Sequence, residues 1–282
     1  MGPLVERNRA FVGGLAVAVA ILAAGCAAAA EPPVRLPRPA SQIAVAPDNP
    51  GTLWAATADG AFVSSDGGNR WRRVRASPAD PRLAFLRKRM LVVDDRSASV
   101  VQFGGSPPTP IHRPPASFRA VTSSFYLSDR LYALDQDGRL WLSVNAGAAW
   151  VRVRAAGLPP GGTVLAARRG KTSLPDTLFV ATGPAGLWVS RDFGGSFRRV
   201  PGIADATGVA TTTHDATRVL VSTPQGLELS TDDGRSFRRV LAAPGITAIA
   251  LDTRNWRNAF AATADGLLLR SDDGGATWDT HP

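Results

Sequence analysis

An eight-residue motif that recurs five times constrains the fold of this chain more than any other feature. The consensus is Ser-x-Asp-x-Gly-x-(Ser/Thr)-aromatic, with Asn145 once in place of the aspartate and Ser or Thr at the seventh position in three of the five copies. The defining residues of the five copies are Ser64, Asp66, Gly68 and Trp71; Ser143, Asn145, Gly147 and Trp150; Ser190, Asp192, Gly194 and Phe197; Ser230, Asp232, Gly234 and Phe237; and Ser271, Asp273, Gly275 and Trp278. We call these segments the repeat turns. Five copies of one motif indicate a repeat protein.

The spacing of the repeat turns predicts a β-propeller. Their serines are separated by 79, 47, 40 and 41 residues, so the first step holds two units and one unit lacks the motif. A period near 40 residues with four short strands per unit is typical of propellers. We therefore predict an all-β, six-bladed propeller, with seven blades as the alternative. The predicted blades span 42–76, 82–104, 118–155, 163–200, 206–241 and 246–281.

The residue types of the motif suit a tight turn between two strands. Glycine tolerates the positive φ angles that such turns need. The aspartate carboxylate and the serine hydroxyl accept hydrogen bonds from nearby turn amides. The aromatic residue begins the next strand, and we expect it to pack inward and fix the strand register.

The repeat turns resemble the Asp-box (BNR) repeats of sialidases, sortilin-type ectodomains, xyloglucanases and the photosystem II assembly propeller. The stretch from Ala46 to Thr57, which reads APDNPGTLWAAT, resembles the first half of such a blade. The resemblance covers roughly residues 42 to 280 and implies a propeller. It implies little about activity, because these repeats are structural in proteins of unrelated function.

The first 41 residues have the composition of a targeting segment followed by a tether. Arg7 and Arg9 precede an apolar stretch, 11–24, that is too short to span a bilayer comfortably. Cys26, the only cysteine, ends a segment that resembles a bacterial lipobox. We predict a signal peptide at 1–26 with lipidation at Cys26, a Pro/Ala-rich tether at 27–41 and the propeller domain at 42–281. The alternative is cleavage in the alanine run after Cys26.

These segments predict an exported protein, either a membrane-anchored lipoprotein or a periplasmic or extracellular protein. The formal net charge is +9, and many arginines lie on the predicted fourth strands. Charges on an outer strand discourage pairing between sheet edges. Single-stranded nucleic-acid binding would need aromatic residues interleaved with the basic ones along a groove. Here the aromatic residues belong to the repeat turns, so no nucleic-acid partner is expected.

The resemblance divides the loops between two faces. In propellers of this architecture, the turns between second and third strands and the links between blades share one face, here called the top face. The repeat turns lie on the opposite face, here called the repeat-turn face. The predicted top-face turns carry Asp59, Asp94, Asp95, Asp135, Asp137 and Asp265. They represent either ordinary turn chemistry or an acidic arc that binds a cation, a sugar or a basic segment. The opposite turns are rich in arginine, which suits anionic lipid.

The sequence offers no complete catalytic set. The sialidase resemblance implies a tyrosine–glutamate pair, an acid/base aspartate and three arginines. The predicted propeller holds one glutamate, Glu228, and two tyrosines, Tyr126 and Tyr132. Glycoside hydrolysis through two top-face aspartates stays open, because that reaction needs two carboxylates about 5–10 Å apart. The three histidines are far apart in the sequence, so no metal or cofactor is expected.

The sequence thus favours a non-catalytic binding or scaffold propeller of the cell envelope that engages a protein or peptide. The alternative is a propeller that binds or cleaves glycans through the acidic arc.

Overall fold

The computed structural model describes residues 34–47, 49, 51–86, 89–94, 98–102, 109–111, 113–124, 129–168 and 175–279. The predicted signal peptide, Cys26, most of the predicted tether and Asp95 lie outside these residues. All regular elements in the described part are β-strands, as predicted for an all-β protein. None of its elements is a helix long and apolar enough to cross a membrane.

Five four-stranded antiparallel sheets follow one another along the chain, each with its strands in sequence order. The strands are β1 (Ala40–Val45), β2 (Leu53–Thr57), β3 (Gly60–Ser64) and β4 (Arg72–Arg73); β5 (Arg82–Leu86), β6 (Arg89–Val93), β7 (Ala98–Gln102) and β8 (Thr109–Pro110); β9 (Phe118–Ser123), β10 (Leu131–Asp135), β11 (Leu140–Ser143) and β12 (Val151–Arg152); β13 (Val164–Arg168), β14 (Thr177–Ala181), β15 (Leu187–Ser190) and β16 (Arg198–Arg199); and β17 (Gly208–Thr211), β18 (Val219–Thr223), β19 (Gly226–Ser230) and β20 (Arg238–Leu241). The second sheet forms although its unit lacks a repeat turn.

The sixth unit forms a sheet of only three strands, β21 (Ile246–Leu251), β22 (Ala259–Thr263) and β23 (Leu268–Ser271). Beyond its repeat turn, the described chain adds a single bridge between Arg270 and Asp279. The predicted count of six or seven blades is therefore wrong, because the structure has five complete blades and this shorter sheet.

The chain's first described residues occupy the other end of the β23 edge. Arg35 forms an antiparallel bridge with Leu267, and the amide of Leu36 donates to the carbonyl of Gly266 at 2.8 Å. Two distant parts of the chain thus share the position that a fourth strand fills in the complete blades.

The second strand of most sheets is buried along its whole length, because a neighbouring sheet covers each of its faces. In β2, β10, β14, β18 and β22 all five residues are buried. Continuous apolar runs of this length are typical of strands covered on both faces. Ile43 and Leu53 of the first sheet pack with Ala250, Phe260 and Leu268 of the last, so the stack closes into a ring. The structure is a β-propeller.

Candidate binding site at the mouth of the central channel

Each repeat turn is held by the same hydrogen bonds. In the first copy, the Ser64 hydroxyl accepts from the amide of Gly68 at 2.8 Å and donates to the Asp66 carboxylate at 2.8 Å. Asp66 also accepts from the amide of Arg70 at 2.9 Å. The serine-centred bonds recur in the other four copies, including the one in which Asn145 replaces the aspartate. The conserved polar atoms of the motif are therefore used within the turn.

These hydrogen bonds favour the ionised form of the turn aspartates. Bonds from the Ser236 hydroxyl and amide lower the pKa of Asp232. Burial alone would raise the pKa of Asp273, but bonds from Thr277 and Ser271 lower it to about 2. A carboxylate that accepts several hydrogen bonds is stabilised in its charged state.

Arginines on the repeat-turn face connect neighbouring sheets. Arg168, at the end of β13, forms an ion pair with Asp233 in the repeat turn of the next sheet. Arg218, just before β18, donates to the carbonyl of Gly274 in the last repeat turn at 2.8 Å. Both arginines are buried. A charge buried between sheets is not available to a lipid headgroup, so these two arginines do not serve the predicted lipid contact.

Arg130 makes a third contact of this kind, between the third and fourth sheets. Its guanidinium lies 2.9 Å from the buried Asp176 carboxylate, which also accepts from the Tyr132 hydroxyl at 3.0 Å. Burial and the Asp176 carboxylate raise the pKa of Tyr132. Tyr132 is thus a buried hydrogen-bond donor, which does not suit the role of an exposed nucleophile.

The described aspartates of the predicted acidic arc each lie at a turn between a second and a third strand or at its edge. Asp59 pairs with Arg38 at 2.9 Å. Asp135 is buried; its carboxylate accepts from the amides of Asp137 and Arg139 and from the indole of Trp141.

The remaining arc residues differ in their surroundings. Asp137 is exposed and pairs with Arg139. Asp265 is exposed and accepts from the Thr263 hydroxyl, which lowers the pKa of Asp265. Asp94 is half-buried after β6. Asp59, Asp135, Asp137 and Asp265 therefore bond to groups within or beside their own turns, and arginines pair with Asp59 and Asp137.

The inner strands of all six sheets, β1, β5, β9, β13, β17 and β21, surround a central channel. Their first residues lie at the top face, because the chain enters each sheet from the link between blades. A cavity of about 300 Å³ opens there beside the channel, across the first four sheets. Its lining residues are Ser41, Gln42, Arg82, Arg119, Ala120, Val121, Thr163, Val164 and Leu165. The cavity combines two guanidiniums and an amide with an apolar wall.

Hydrogen bonds position the polar side chains of this cavity. The Gln42 side chain donates to the carbonyl of Leu83 at 2.7 Å and accepts from its amide at 2.9 Å. Arg82 donates to Asp80 and to the carbonyl of Arg119. The Arg119 guanidinium donates to the Gln136 side chain at 3.1 and 3.2 Å.

Sequence reasoning missed Gln42, Arg82 and Arg119. The available signal was a polar side chain at or near the start of an apolar inner strand, where it points to the mouth of the channel. Among the described residues, no group of three or more histidine, cysteine, aspartate or glutamate side chains is arranged to hold a metal ion.

No family model matches the chain, and no curated protein matches it in sequence. The link between the repeat turns and the Asp-box family therefore stays a prediction. Solved structures do match the fold. A GH74 enzyme from Niastella koreensis matches with a TM-score of 0.57 and 21% identity over 82% of this chain and 36% of the enzyme, so the chain spans about a third of that enzyme's length.

Two further structures match over most of both chains. The structure of YCF48 bound to D1 peptide has a TM-score of 0.54 and 17% identity, covering 87% of this chain and 83% of that one. The matched chain of a nidogen/laminin complex has a TM-score of 0.63 and 14% identity, covering 82% and 93%. At these identities the likeness shows a shared β-propeller fold.

Proposed function

We propose that the protein is a binding propeller that engages a polypeptide segment at the top-face cavity. The observation that carries this proposal is the composition of the cavity wall. Arg82, Arg119 and Gln42 offer donors to carbonyl or carboxylate oxygens, while Val121 and Leu165 offer apolar contact. Binding sites commonly combine apolar walls with a few well-placed polar groups. Such a wall suits an extended segment with acidic and apolar side chains.

The structural neighbours support the same class of partner. YCF48 is solved with a D1 peptide, and the other match is a chain of a nidogen/laminin complex. Both are propellers with polypeptide partners. Fold likeness alone does not determine function, so the composition of the cavity remains the main argument.

The carbohydrate alternative draws support from the GH74 neighbours. Hydrolysis of a glycosidic bond needs two carboxylates that flank it. The described residues that line the top-face cavity include no carboxylate. The described lining of the cavity therefore offers no carboxylate pair for hydrolysis, which favours the polypeptide proposal.

The test compares partner capture by matched variants. The intact protein is crosslinked mildly in its native envelope and purified, alongside Arg119→Gln and the control Arg198→Gln, which changes an exposed outer-strand arginine. We expect one stoichiometric protein partner that the control retains and Arg119→Gln loses. Retention of glycan fragments without a protein partner would instead favour the carbohydrate alternative. Equal capture by both variants would contradict a role for the cavity.

Export and lipidation at Cys26 form a separate part of the proposal. It rests on the basic residues, the apolar stretch 11–24 and the single cysteine. Mass spectrometry of the mature protein is expected to find a diacylated Cys26 as its first residue. An unmodified N terminus beyond Cys26 would support the predicted alternative cleavage.

A further inference from the structure

A hydroxyl side chain recurs at one position of the inner strands, near the top face. There it bonds to the second strand of its own sheet, at the residue that pairs with the next residue along the inner strand. These hydroxyl residues are Ser41, Thr163, Thr207 and Thr247, in the first, fourth, fifth and sixth sheets. The Thr163 hydroxyl, for example, donates to the carbonyl of Ala181, which is the partner of Val164. The hydroxyl position therefore belongs to the repeat and serves the sheet itself.

The third sheet places Arg119 at this position instead. The residues on either side of it pair with β10, so Arg119 is the extra residue of a β-bulge. Ser41 and Thr247 are the extra residues of equivalent bulges in their own sheets. Bulges redirect a side chain and are common beside functional sites. Arg119 lines the top-face cavity, as Ser41 and Thr163 do. The arginine thus departs from the repeat at a position that faces the candidate site.

The other two polar side chains that border the cavity beside Arg119 already connect neighbouring sheets. The Gln42 side chain both donates to and accepts from the backbone of Leu83, so it covers the inner edge of β5. Arg82 donates to the carbonyl of Arg119 on β9 and forms an ion pair with Asp80 at 2.9 Å. Gln42 is therefore engaged with the second sheet, and the charge of Arg82 is balanced by Asp80.

The charge of Arg119, in contrast to that of Arg82, is not balanced. Its Nε and Nη2 atoms donate to the neutral side-chain oxygen of Gln136 at 3.2 and 3.1 Å. Among the described residues, no carboxylate lies within ion-pairing distance of its guanidinium. Asp137, the neighbour of Gln136 in the chain, pairs with Arg139. A guanidinium has five N–H donors in a planar fork. The edge formed by Nη1 and Nη2 therefore retains donors for a ligand.

A single unbalanced positive charge limits the class of ligand. The planar fork of a guanidinium matches the two oxygens of a carboxylate. A phosphate group carries a charge of about −1.5 to −2 at pH 7, and much of it would stay unpaired here because Asp80 already holds Arg82. The buried Val121 and Leu165 form an apolar wall in the same cavity. The cavity is thus suited to one carboxylate with an apolar neighbour.

We propose that Arg119 is the specificity-determining residue of the top-face cavity and binds a carboxylate of the polypeptide partner. This inference rests on the proposed function of that cavity. Gln42 and Arg82 hold the neighbouring sheets together around it. The carboxylate belongs to an aspartate or glutamate side chain or to the C terminus of the partner, since both sources offer the same two oxygens.

A peptide selection with matched chemical variants tests the assignment. A synthetic library of random heptapeptides with free C termini is selected by affinity for the full chain. Each selected peptide is then made in two further forms, one with asparagine and glutamine in place of its acidic residues and one with an amidated C terminus. All forms are titrated against the wild type, Arg119→Thr, Thr163→Trp and Arg198→Gln.

Each protein variant has a defined purpose. Arg119→Thr introduces the residue that three other sheets carry at this position, so the fold is expected to be retained. Thr163→Trp fills an exposed position of the cavity wall while Arg119 stays in place. Arg198→Gln changes an exposed outer-strand arginine and is the control, which should bind like the wild type.

We expect one of the two modified peptide forms to bind the wild type at least about tenfold more weakly than the parent peptide. The form that loses affinity identifies the source of the carboxylate. Arg119→Thr should bind the parent peptide at least about tenfold more weakly than the wild type does. The same peptide modification should have no further effect on Arg119→Thr, because the group that recognises the carboxylate is gone.

Two kinds of failure are distinguishable. If Thr163→Trp weakens binding but neither modified form differs from the parent peptide, the cavity binds polypeptides and Arg119 does not select a carboxylate. Equal losses on the wild type and on Arg119→Thr would place the recognition of the carboxylate at another residue. If no peptide is selected, or if Thr163→Trp and Arg119→Thr both bind like the wild type, the proposed function of the cavity fails together with this inference.

Discussion

The two faces of the propeller use their polar residues in opposite ways. On the repeat-turn face, one motif imposes the same hydrogen bonds in five sheets, and Arg168 and Arg218 connect one sheet to the next. On the top face, Gln42, Arg82 and Arg119 occupy inner strands that the motif does not control. Residues that repeat stabilise the ring, and residues that depart from the repeat give it distinct surfaces.

Removal of a repeat-turn aromatic should produce the largest effect. Phe197 is 5% exposed and packs between the third and fourth sheets. Phe197→Ala is expected to lower the free energy of unfolding by about 3–5 kcal/mol. Urea denaturation measures this change. The top-face variant Arg119→Gln is the control, and its free energy of unfolding should stay within about 0.5 kcal/mol of the wild type. Replacing Trp71 or Trp278 with alanine should lower the free energy of unfolding by less, because both side chains are only partly buried. A near-neutral Phe197→Ala would contradict the division between the faces.

The Arg168 contact should give the next largest effect. Arg168→Met removes a buried charge and leaves Asp233, which still pairs with the half-exposed Arg191. We expect a loss of about 2 kcal/mol, below the usual cost of breaking a buried pair because Asp233 keeps this second partner. Arg198→Met on the outer strand serves as the control. If the two variants melt alike, the inter-sheet ion pair does not stabilise the ring.

The sequence predicted most of the fold because its signal is local and periodic. The repeat turns gave the spacing of the sheets, and the apolar runs gave the second sheet without its motif. The number of complete blades was mispredicted because it depends on a distant contact. Residues Val34 and Leu36 bond to the edge of β23, and sequence periodicity does not report which chain end covers an edge.

The site was harder to predict for a related reason. Turn aspartates such as Asp59 and Asp265 are visible in the sequence as Asp-Gly turns. Gln42, Arg82 and Arg119 are far apart in the chain and meet only when the inner strands stack around the axis. Whether these three side chains face one cavity depends on how adjacent sheets are stacked, and no single repeat specifies that stacking.

Acid should weaken the repeat-turn face selectively. The folded-state pKa of Asp273 is about 2, below the ordinary value of 3.8, so its stabilising contribution is present above about pH 4 and is lost as the pH falls towards 2. Asp273→Asn should cost about 1 kcal/mol at pH 7, since a charge-assisted bond becomes a neutral one. The difference from wild type should shrink at pH 2–3 in denaturation experiments. Asn145→Asp is the reciprocal variant and should add acid sensitivity. A difference that is constant with pH would contradict the assignment.

The smallest expected effect is a gain in stability at a single repeat turn. Phe193→Gly relieves a positive φ that costs a non-glycine residue about 1–2 kcal/mol, but it also loses the contact with Arg130, which is worth about 0.5–1 kcal/mol. We expect a net stabilisation of about 0.5 kcal/mol by urea denaturation. Ala146→Gly has the same backbone change without a cation–π contact and should gain more. If Phe193→Gly destabilises the protein, the contact between the ring and Arg130 outweighs the backbone strain.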